Sequence, residues 1–419
     1  MKKTILLFLS AVMATALCGA PAAPAPATAP AKKAPAALKM ALPEIIYAAP
    51  GIESNIYFEN AVDSAVFRNY AYEVRCPVGT QGEYRWFWTP SPKDAGKSFD
   101  LELRLFDDDG LVISGKCTVK VAGKPAAPGK KYTLALLGAS GVNSGYPTWL
   151  MKAMREQGFS GYTPVGSHSG GGRGPAPDRA MHDGYGGFSW SSFLTRWMYS
   201  AEELPPIQNE AEKAQMRTLG VTNLPKSQAY RLRSPLLKLV NGKPVLDIPG
   251  WFRKINQGQA PDCIVIQLGG NDMFITRPEK LDDRIREVMG NVRHLLSELR
   301  KNAPRALIGV ATCPCGCGQD GFGANYGCKQ SKYQFRRNIQ RYNRELTALV
   351  GSLKDPRVVM IPLHQNIDPD GSYMRRSVKV HARSNKKVLR ECNALHPGAE
   401  GGAQLGDAIA CWLMNHLEK

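Results

Sequence analysis

The chain has 419 residues, with 54 lysines and arginines against 36 carboxylates and a formal net charge of +18. That length exceeds a single small domain and fits about two to three units. Hydrophobic residues make up 43% and charged residues 21%, the balance of an ordinary soluble globular protein, which excludes a chain disordered throughout.

Residues 1–20 read as a signal peptide. Lys2 and Lys3 give a positive start, Ile5 to Leu17 form a short apolar core, and Ala14, Ala16 and Ala20 supply small residues for cleavage. Cys18 follows Leu17, where a lipoprotein signal wants a small residue, so cleavage at the alanines is expected and a lipid anchor at Cys18 is the alternative. No later stretch is apolar and long enough to predict a transmembrane span. The expected location is therefore exported: periplasmic, cell-surface or secreted.

Export implies an oxidising compartment, so the cysteines read first as disulfide candidates. Cys76 and Cys117, on predicted strands of one small domain, could bridge it. Cys313, Cys315, Cys317 and Cys328 cluster, but without a paired Cys-x-x-Cys or a nearby histidine. Disulfides or structural thiols are favoured there over zinc, and no metal or cofactor is expected. An exported chain rarely meets nucleic acid, which removes that partner as an explanation of the charge. A solvated basic surface is the first explanation and attraction to anionic glycans the second.

Residues 21–38 form an Ala/Pro-rich linker, read as an extended tether. Residues 39–122 carry short alternating runs such as Tyr70 to Val74 and Leu101 to Leu105, and Asp107-Asp108-Asp109-Gly110 leads into Leu111-Val112-Ile113 as a hairpin. With a last strand from Cys117 to Val121, this span is predicted to be a small antiparallel, immunoglobulin-like β-sandwich. Its role stays open between spacer, carbohydrate binder and lid. A second linker covers residues 123–131. From 132 to 419 the pattern alternates. Apolar runs at Thr133–Leu137, Cys263–Leu268, Ala306–Val310 and Arg357–Ile361 read as buried parallel strands. Helical periodicity covers Glu279–Lys301, Ser331–Leu353 and Ala403–Leu417. The prediction is an α/β fold with helices on both faces of the sheet, in which ligands bind beyond the carboxyl ends of the strands.

Four short blocks carry the chemistry. They are Gly138-Ala139-Ser140, Gly186-Gly187-Phe188, Gly269-Gly270-Asn271-Asp272 and Asn393-Ala394-Leu395-His396-Pro397. Ser140 follows a strand at a tight turn and is the candidate nucleophile, in need of a neighbouring base. Ser144 is its nearby competitor. His396 is the candidate base, with His182 and His381 as rivals. Gly187, Asn271 and the Ser140 N–H are candidate oxyanion donors. Tyr185, Phe188 and Trp190 offer aromatic faces that stack on sugar rings, whereas Trp197 reads as core.

In these blocks the span from residue 132 onward resembles the SGNH (GDSL-type) hydrolase superfamily, in which Ser, Gly, Asn and His stand in four separated blocks. His182 to Trp190 and Gln319 to Tyr326 are similar to segments of exported carbohydrate-esterase-like members. The resemblance implies a flavodoxin-like three-layer α/β/α hydrolase domain and the roles given above. Two positions depart from the family pattern: Ala139 stands where aspartate usually precedes the serine, and Asn393 stands where many members have an aspartate three residues before the histidine. An asparagine oxygen orients the imidazole without a carboxylate's charge, and a flipped amide would favour the wrong tautomer. A Ser–His dyad oriented by Asn393 is expected, with Glu391 and Asp407 set aside as the missing acid. The expected activity is hydrolysis of small acyl esters, acetyl above all, on a carbohydrate or another small ester substrate. A degenerate glycan-binding surface protein and a lipase or thioesterase of the same superfamily are the alternatives.

Overall fold

The computed structural model describes residues 38–64, 66–123, 131–159, 161–169, 180–198, 233–324 and 330–416. The expected signal peptide, Cys18, most of both linkers, and Asn325, Tyr326 and Cys328 lie outside the described residues. From Leu38 onward the chain forms one compact unit.

The first part is built from strands β1 (Lys39–Met40), β2 (Ile45–Ala48), β3 (Ser54–Tyr57), β4 (Val62–Asp63), β5 (Ala71–Arg75), β6 (Thr80–Gln81), β7 (Arg85–Trp88), β8 (Ser98–Asp107) and β9 (Gly110–Val121), with a one-turn helix α1 (Phe58–Ala61). Strand β8 shows why these segments are strands: Leu101, Leu103 and Leu105 are buried, while the intervening Glu102 and Arg104 are not. The turn after it closes as expected, with Asp109 N–H donating to Asp107 Oδ1 at 3.0 Å and Gly110 at φ +119°. One sheet runs β2-β9-β8-β5, a second β3-β7-β6, and β1 pairs with β4. Strands β2 and β9 pair in parallel, a difference from the all-antiparallel expectation. The long connection between them leaves room for a parallel return, which no short turn allows.

Cys76 and Cys117 are free thiols. Cys117 pairs with Leu101 across the ladder, and Cys76 follows Arg75 on the other side of β8, where Arg75 pairs with Glu102. Two strand spacings of about 4.8 Å each separate them, beyond the ~7 Å that a disulfide spans. The expected bridge is therefore corrected, and among the described residues no cysteine is in a disulfide.

The second part holds a mainly parallel sheet of β10 (Tyr132–Gly138), β11 (Tyr162–Val165), β12 (His168–Ser169), β13 (Met181–Gly184), β16 (Cys263–Gln267), β17 (Leu307–Ala311) and β18 (Val358–Ile361), in the order β12-β13-β10-β16-β17-β18. Strand β11 pairs with the first half of β10, and β13 with its last two residues. Every residue of β16 and β17 is buried, because a parallel sheet is covered on both faces. A short hairpin, β14 (Leu237–Val240) and β15 (Lys243–Leu246), comes between β13 and β16, and a second one, β19 (Arg375–Lys379) and β20 (Lys387–Glu391), follows β18. The helices are α2 (Ser140–Asn143), α3 (Tyr146–Glu156), α4 (Trp190–Thr195), α5 (Ile248–Asn256), α6 (Gly270–Phe274), α7 (Leu281–Asn302), α8 (Gln319–Ala324), α9 (Lys332–Leu353) and α10 (Ala399–His416). Helix α3 packs on α10, while α7 packs on α4, α5 and α9. No described helix is long and apolar enough to cross a membrane.

The two parts share buried polar contacts. Asn60 Nδ2 donates to the carbonyls of His364 and Ile367 at 2.8 and 2.9 Å. Glu59, itself buried, is paired with Arg336 at 2.5 Å and Lys332 at 2.9 Å, both on α9. Such a pair is costly to bury but costlier to break, since either partner alone would be an uncompensated charge.

Candidate active site

Three of the four blocks leave the sheet side by side. Gly138, the last residue of β10, is level with Gly184 of β13 on one side and Gln267 of β16 on the other. Ser140 follows Gly138 by two residues, Gly187 follows Gly184 by three, and Asn271 follows Gln267 by four. The carboxyl ends of neighbouring parallel strands thus bring these residues to one edge.

Close packing fixes the first turn. A Cβ at Gly138 would lie 2.3 Å from Val142 Cγ2 and 2.7 Å from the Gln267 carbonyl oxygen, so only glycine fits. Ala139 is extended, and Ser140 opens α2, whose carbonyl accepts from Ser144 N–H at 2.8 Å. Ser140 is half-buried. Ser144 is turned back on the same loop, its hydroxyl donating to the Gly141 carbonyl at 3.0 Å.

The second block is a turn in which Phe188 N–H donates to the Tyr185 carbonyl at 3.3 Å, with Gly187 at φ +74°. A positive φ at this position is what a type II turn requires. Gly187 is exposed, and no atom lies within 4 Å of where its Cβ would be. Tyr185 N–H donates to the Gly138 carbonyl at 2.9 Å and so ties this turn to the serine strand.

The third block is locked to the second. Asn271 Nδ2 donates to the Phe188 carbonyl at 2.8 Å. The buried Asp272 carboxylate accepts from Trp190 N–H at 3.3 Å and lies 3.6 Å from Arg284. Burial pushes the Asp272 carboxyl up to about 6, against the pull of Arg284. Trp190 Nε1 donates to the Tyr342 hydroxyl at 2.7 Å, which in turn donates to the Leu268 carbonyl at 2.9 Å. Sequence reading missed Asp272, Asp183 and Tyr342 as supports. Asp183 accepts from the Tyr185 hydroxyl at 2.8 Å and Trp251 Nε1 at 2.9 Å. Asp272 and Asp183 were flagged only by standing inside the blocks, and Tyr342, inside a long helix, carried no signal.

The aromatic wall is corrected. Trp190 and Phe188 are 0% and 1% exposed, and Tyr185 is 6% exposed with its ring stacked on Phe188 at 4.7 Å. These rings pack the core under the turn, as apolar area buried beside a parallel sheet should. Trp197 is buried as expected, with Arg233 4.2 Å over its ring.

The fourth block is held by Asn393. Its Oδ1 accepts from Leu395 N–H at 3.1 Å and His396 N–H at 2.9 Å, and lies 3.0 Å from His396 Nδ1. Two backbone donors on one atom identify it as the oxygen, since the amide nitrogen cannot accept. Nδ1 therefore carries the proton toward Asn393, and Nε2 keeps the lone pair. Helix α10 begins three residues after His396 and packs on α3, which starts two residues after Ser144; Gly402 stands against Trp149, and Gly406 against Leu150. The rival histidines are elsewhere engaged or remote. His182 is buried, accepts from Gly184 N–H at 3.1 Å and is pushed down to about 3 by burial. His381 is exposed at the tip of the β19–β20 hairpin. Glu391 lies against Gly318, and Asp407 sits within α10.

The GDSL-like lipase/acylhydrolase family model matches residues 168–409. The chain belongs to that family. The family is one of lipases and acylhydrolases; the matched span holds Gly187, Asn271, Asn393 and His396, with Ser140 preceding it. Among solved structures, an acetyl esterase mutant with acetate ion is 15% identical, covering 67% of this chain and 96% of that one, with a TM-score of 0.38. A family 3 carbohydrate esterase from Talaromyces cellulolyticus gives the same identity, coverage and TM-score: 15%, 67%, 96% and 0.38. A family two carbohydrate esterase from Clostridium thermocellum, in complex with cellohexaose, is 12% identical over 88% of this chain and 94% of that one, with a TM-score of 0.34. No curated protein matches the chain.

Proposed function

We propose that this GDSL-like acylhydrolase is an exported serine esterase that removes small acyl groups, acetyl above all, from carbohydrates. The observation that carries the reading is the shared edge of β10, β13 and β16, from which Ser140, Gly187 and Asn271 all emerge. Ser140 Oγ attacks the ester carbonyl while His396 Nε2 takes its proton; Asn393 keeps the other ring nitrogen protonated. The negative charge on the former carbonyl oxygen is held by the N–H groups of Ser140 and Gly187 and by Asn271 Nδ2, whose second hydrogen is not needed by Phe188. As the C–O bond to the sugar breaks, His396 gives its proton to the leaving sugar oxygen, and a water that loses its proton to the same nitrogen releases the acid from the acyl-enzyme. The preference for a carbohydrate is supported by the likeness of the second block to carbohydrate-esterase-like members and by the expected export. The strand-rich residues 39–122 are proposed as an accessory module of the same protein.

Ala139 and Asn393, where the family usually has aspartates, favour a second reading: a glycan-binding protein without turnover. Hydrolysis of p-nitrophenyl acetate and butyrate by the mature protein and by Ser140→Ala separates the two. Acetate turnover should fall at least ~10³-fold in the variant, as removal of a serine nucleophile does. A wild-type protein that neither turns over acetate nor reacts with a fluorophosphonate at Ser140 would sink the esterase reading.

A further inference from the structure

The β19–β20 hairpin is a two-stranded sheet that no third strand joins. Its 17 residues, 375–391, hold four arginines and three lysines against one carboxylate, Glu391. All seven cations are exposed. Among the described residues only Arg390 has an ion-pair partner, Asp320 at 3.5 Å; the Arg375 guanidinium donates instead to the Asp370 carbonyl.

The ladder sets like charges against each other. Lys379 pairs with Lys387, and Arg376 with Arg390. Like charges directly opposite in an antiparallel pair destabilise it, and a lone hairpin has little stability to spare. An anionic chain laid along the arm would remove that repulsion. The arm is joined to the candidate base at its foot: Cys392 N–H donates to the Met374 carbonyl at 2.9 Å, Met374 N–H to the His396 carbonyl at 3.5 Å, and Tyr373 bridges Pro397.

We infer that the β19–β20 arm docks an acidic polysaccharide, a glycan bearing uronate carboxylates, and leads it to the His396 edge. The docking stands on the arm's own charge; delivery to Ser140 rests on the esterase reading. Residues 375–391 contain no Phe, Tyr or Trp, so the arm lacks the stacking platform of single-strand nucleic-acid binders. Its exposed apolar residues, Leu389 and Val380, lie on opposite faces of the ladder, which leaves no single apolar face for a bilayer. Carboxylates repeated along a sugar chain match cations spaced four residues apart along each face, Arg375 and Lys379 on one and Lys386 and Arg390 on the other, about 14 Å at the rise of an antiparallel strand.

The test is titration of the full mature chain with polygalacturonate and with neutral xylan, at low and at moderate salt. Wild type should bind polygalacturonate, lose at least tenfold in affinity on raising the salt, and ignore xylan. Combined Arg376→Ser, Lys379→Ser and Lys387→Ser should cost at least tenfold more at low salt, with a melting temperature no lower than wild type because the opposed charges are gone. Lys379→Arg with Lys387→Arg should keep the affinity. Undiminished binding by the triple variant, equal binding of xylan, or binding confined to DNA or anionic vesicles would overturn the inference. Turnover of p-nitrophenyl acetate by wild type reads the esterase proposal separately, so either can fail alone.

Discussion

Asn393 gathers three donors on a single oxygen, two from the backbone and one from the ring it orients. The geometry of a charged orienter is kept while its charge is not. In the proposed reaction an imidazolium formed during attack would meet an amide dipole, and a charge-assisted bond is about twice as strong as a neutral one. Asn393→Asp should therefore raise kcat on p-nitrophenyl acetate about tenfold, roughly 1.4 kcal/mol, and move the acid limb of the rate profile to higher pH. Asn393→Ala should lower kcat more than a hundredfold, since the ring loses its tautomer and the loop its turn. A pH–rate profile of the three proteins checks both. Equal rates in Asn393→Ala and wild type would remove Asn393 from the site.

At the scale of elements, the site is a set of strand ends clamped from below by helix α9. Tyr342 covers Gly269 so closely that a Cβ there would lie 2.3 Å from its ring, and its hydroxyl links Trp190 of one loop to Leu268 of the other. Tyr342→Phe leaves the indole N–H unpaired in the core and takes one of two donors from the Leu268 carbonyl, which keeps Cys313 Sγ at 2.8 Å, at a cost of about 2 kcal/mol. Thermal unfolding should show the loss, and turnover should fall with it as Gly187 and Asn271 drift apart. Much of this scaffold was legible. The apolar run Thr133–Leu137 lies within β10, and the runs at Cys263, Ala306 and Arg357 became β16, β17 and β18 within a residue or so at each end. Helices α7 and α9 follow the 3.6-residue period of their apolar faces. Less visible were β13, β14–β15 and β19–β20, whose stretches are short and rich in charge or glycine, and the parallel β2–β9 pairing, which depends on contacts distant in sequence. Tyr185, Phe188 and Trp190 were misjudged for a physical reason: an aromatic beside a glycine turn suits a ligand or a core equally, and only packing decides.

For the whole molecule, stability is spread over two packed parts joined by buried polar contacts, and its response to pH should be unusual. Asp407 on α10 is raised to about 7 by burial, against Lys152. A carboxyl that holds its proton more tightly when folded favours the native state fully below its unfolded value, near 4, and this contribution fades as the pH rises through 7. Asp407→Asn should therefore match wild type near pH 4 and exceed it at pH 8, by about 1–2 kcal/mol after allowing for partial exposure. Melting curves across that range provide the check. A difference that shrinks toward pH 8 would contradict the assignment.

The neutral amide at 393 also shapes what can approach. A fixed carboxylate beside His396 would repel each incoming uronate; at 8 Å and an effective dielectric constant near 20 that repulsion is about 2 kcal/mol. If the arm docks such a chain as inferred, an uncharged orienter leaves its approach open. Asn393→Asp would then exchange one substrate for another, gaining on a small neutral ester and losing on an acidic polymer.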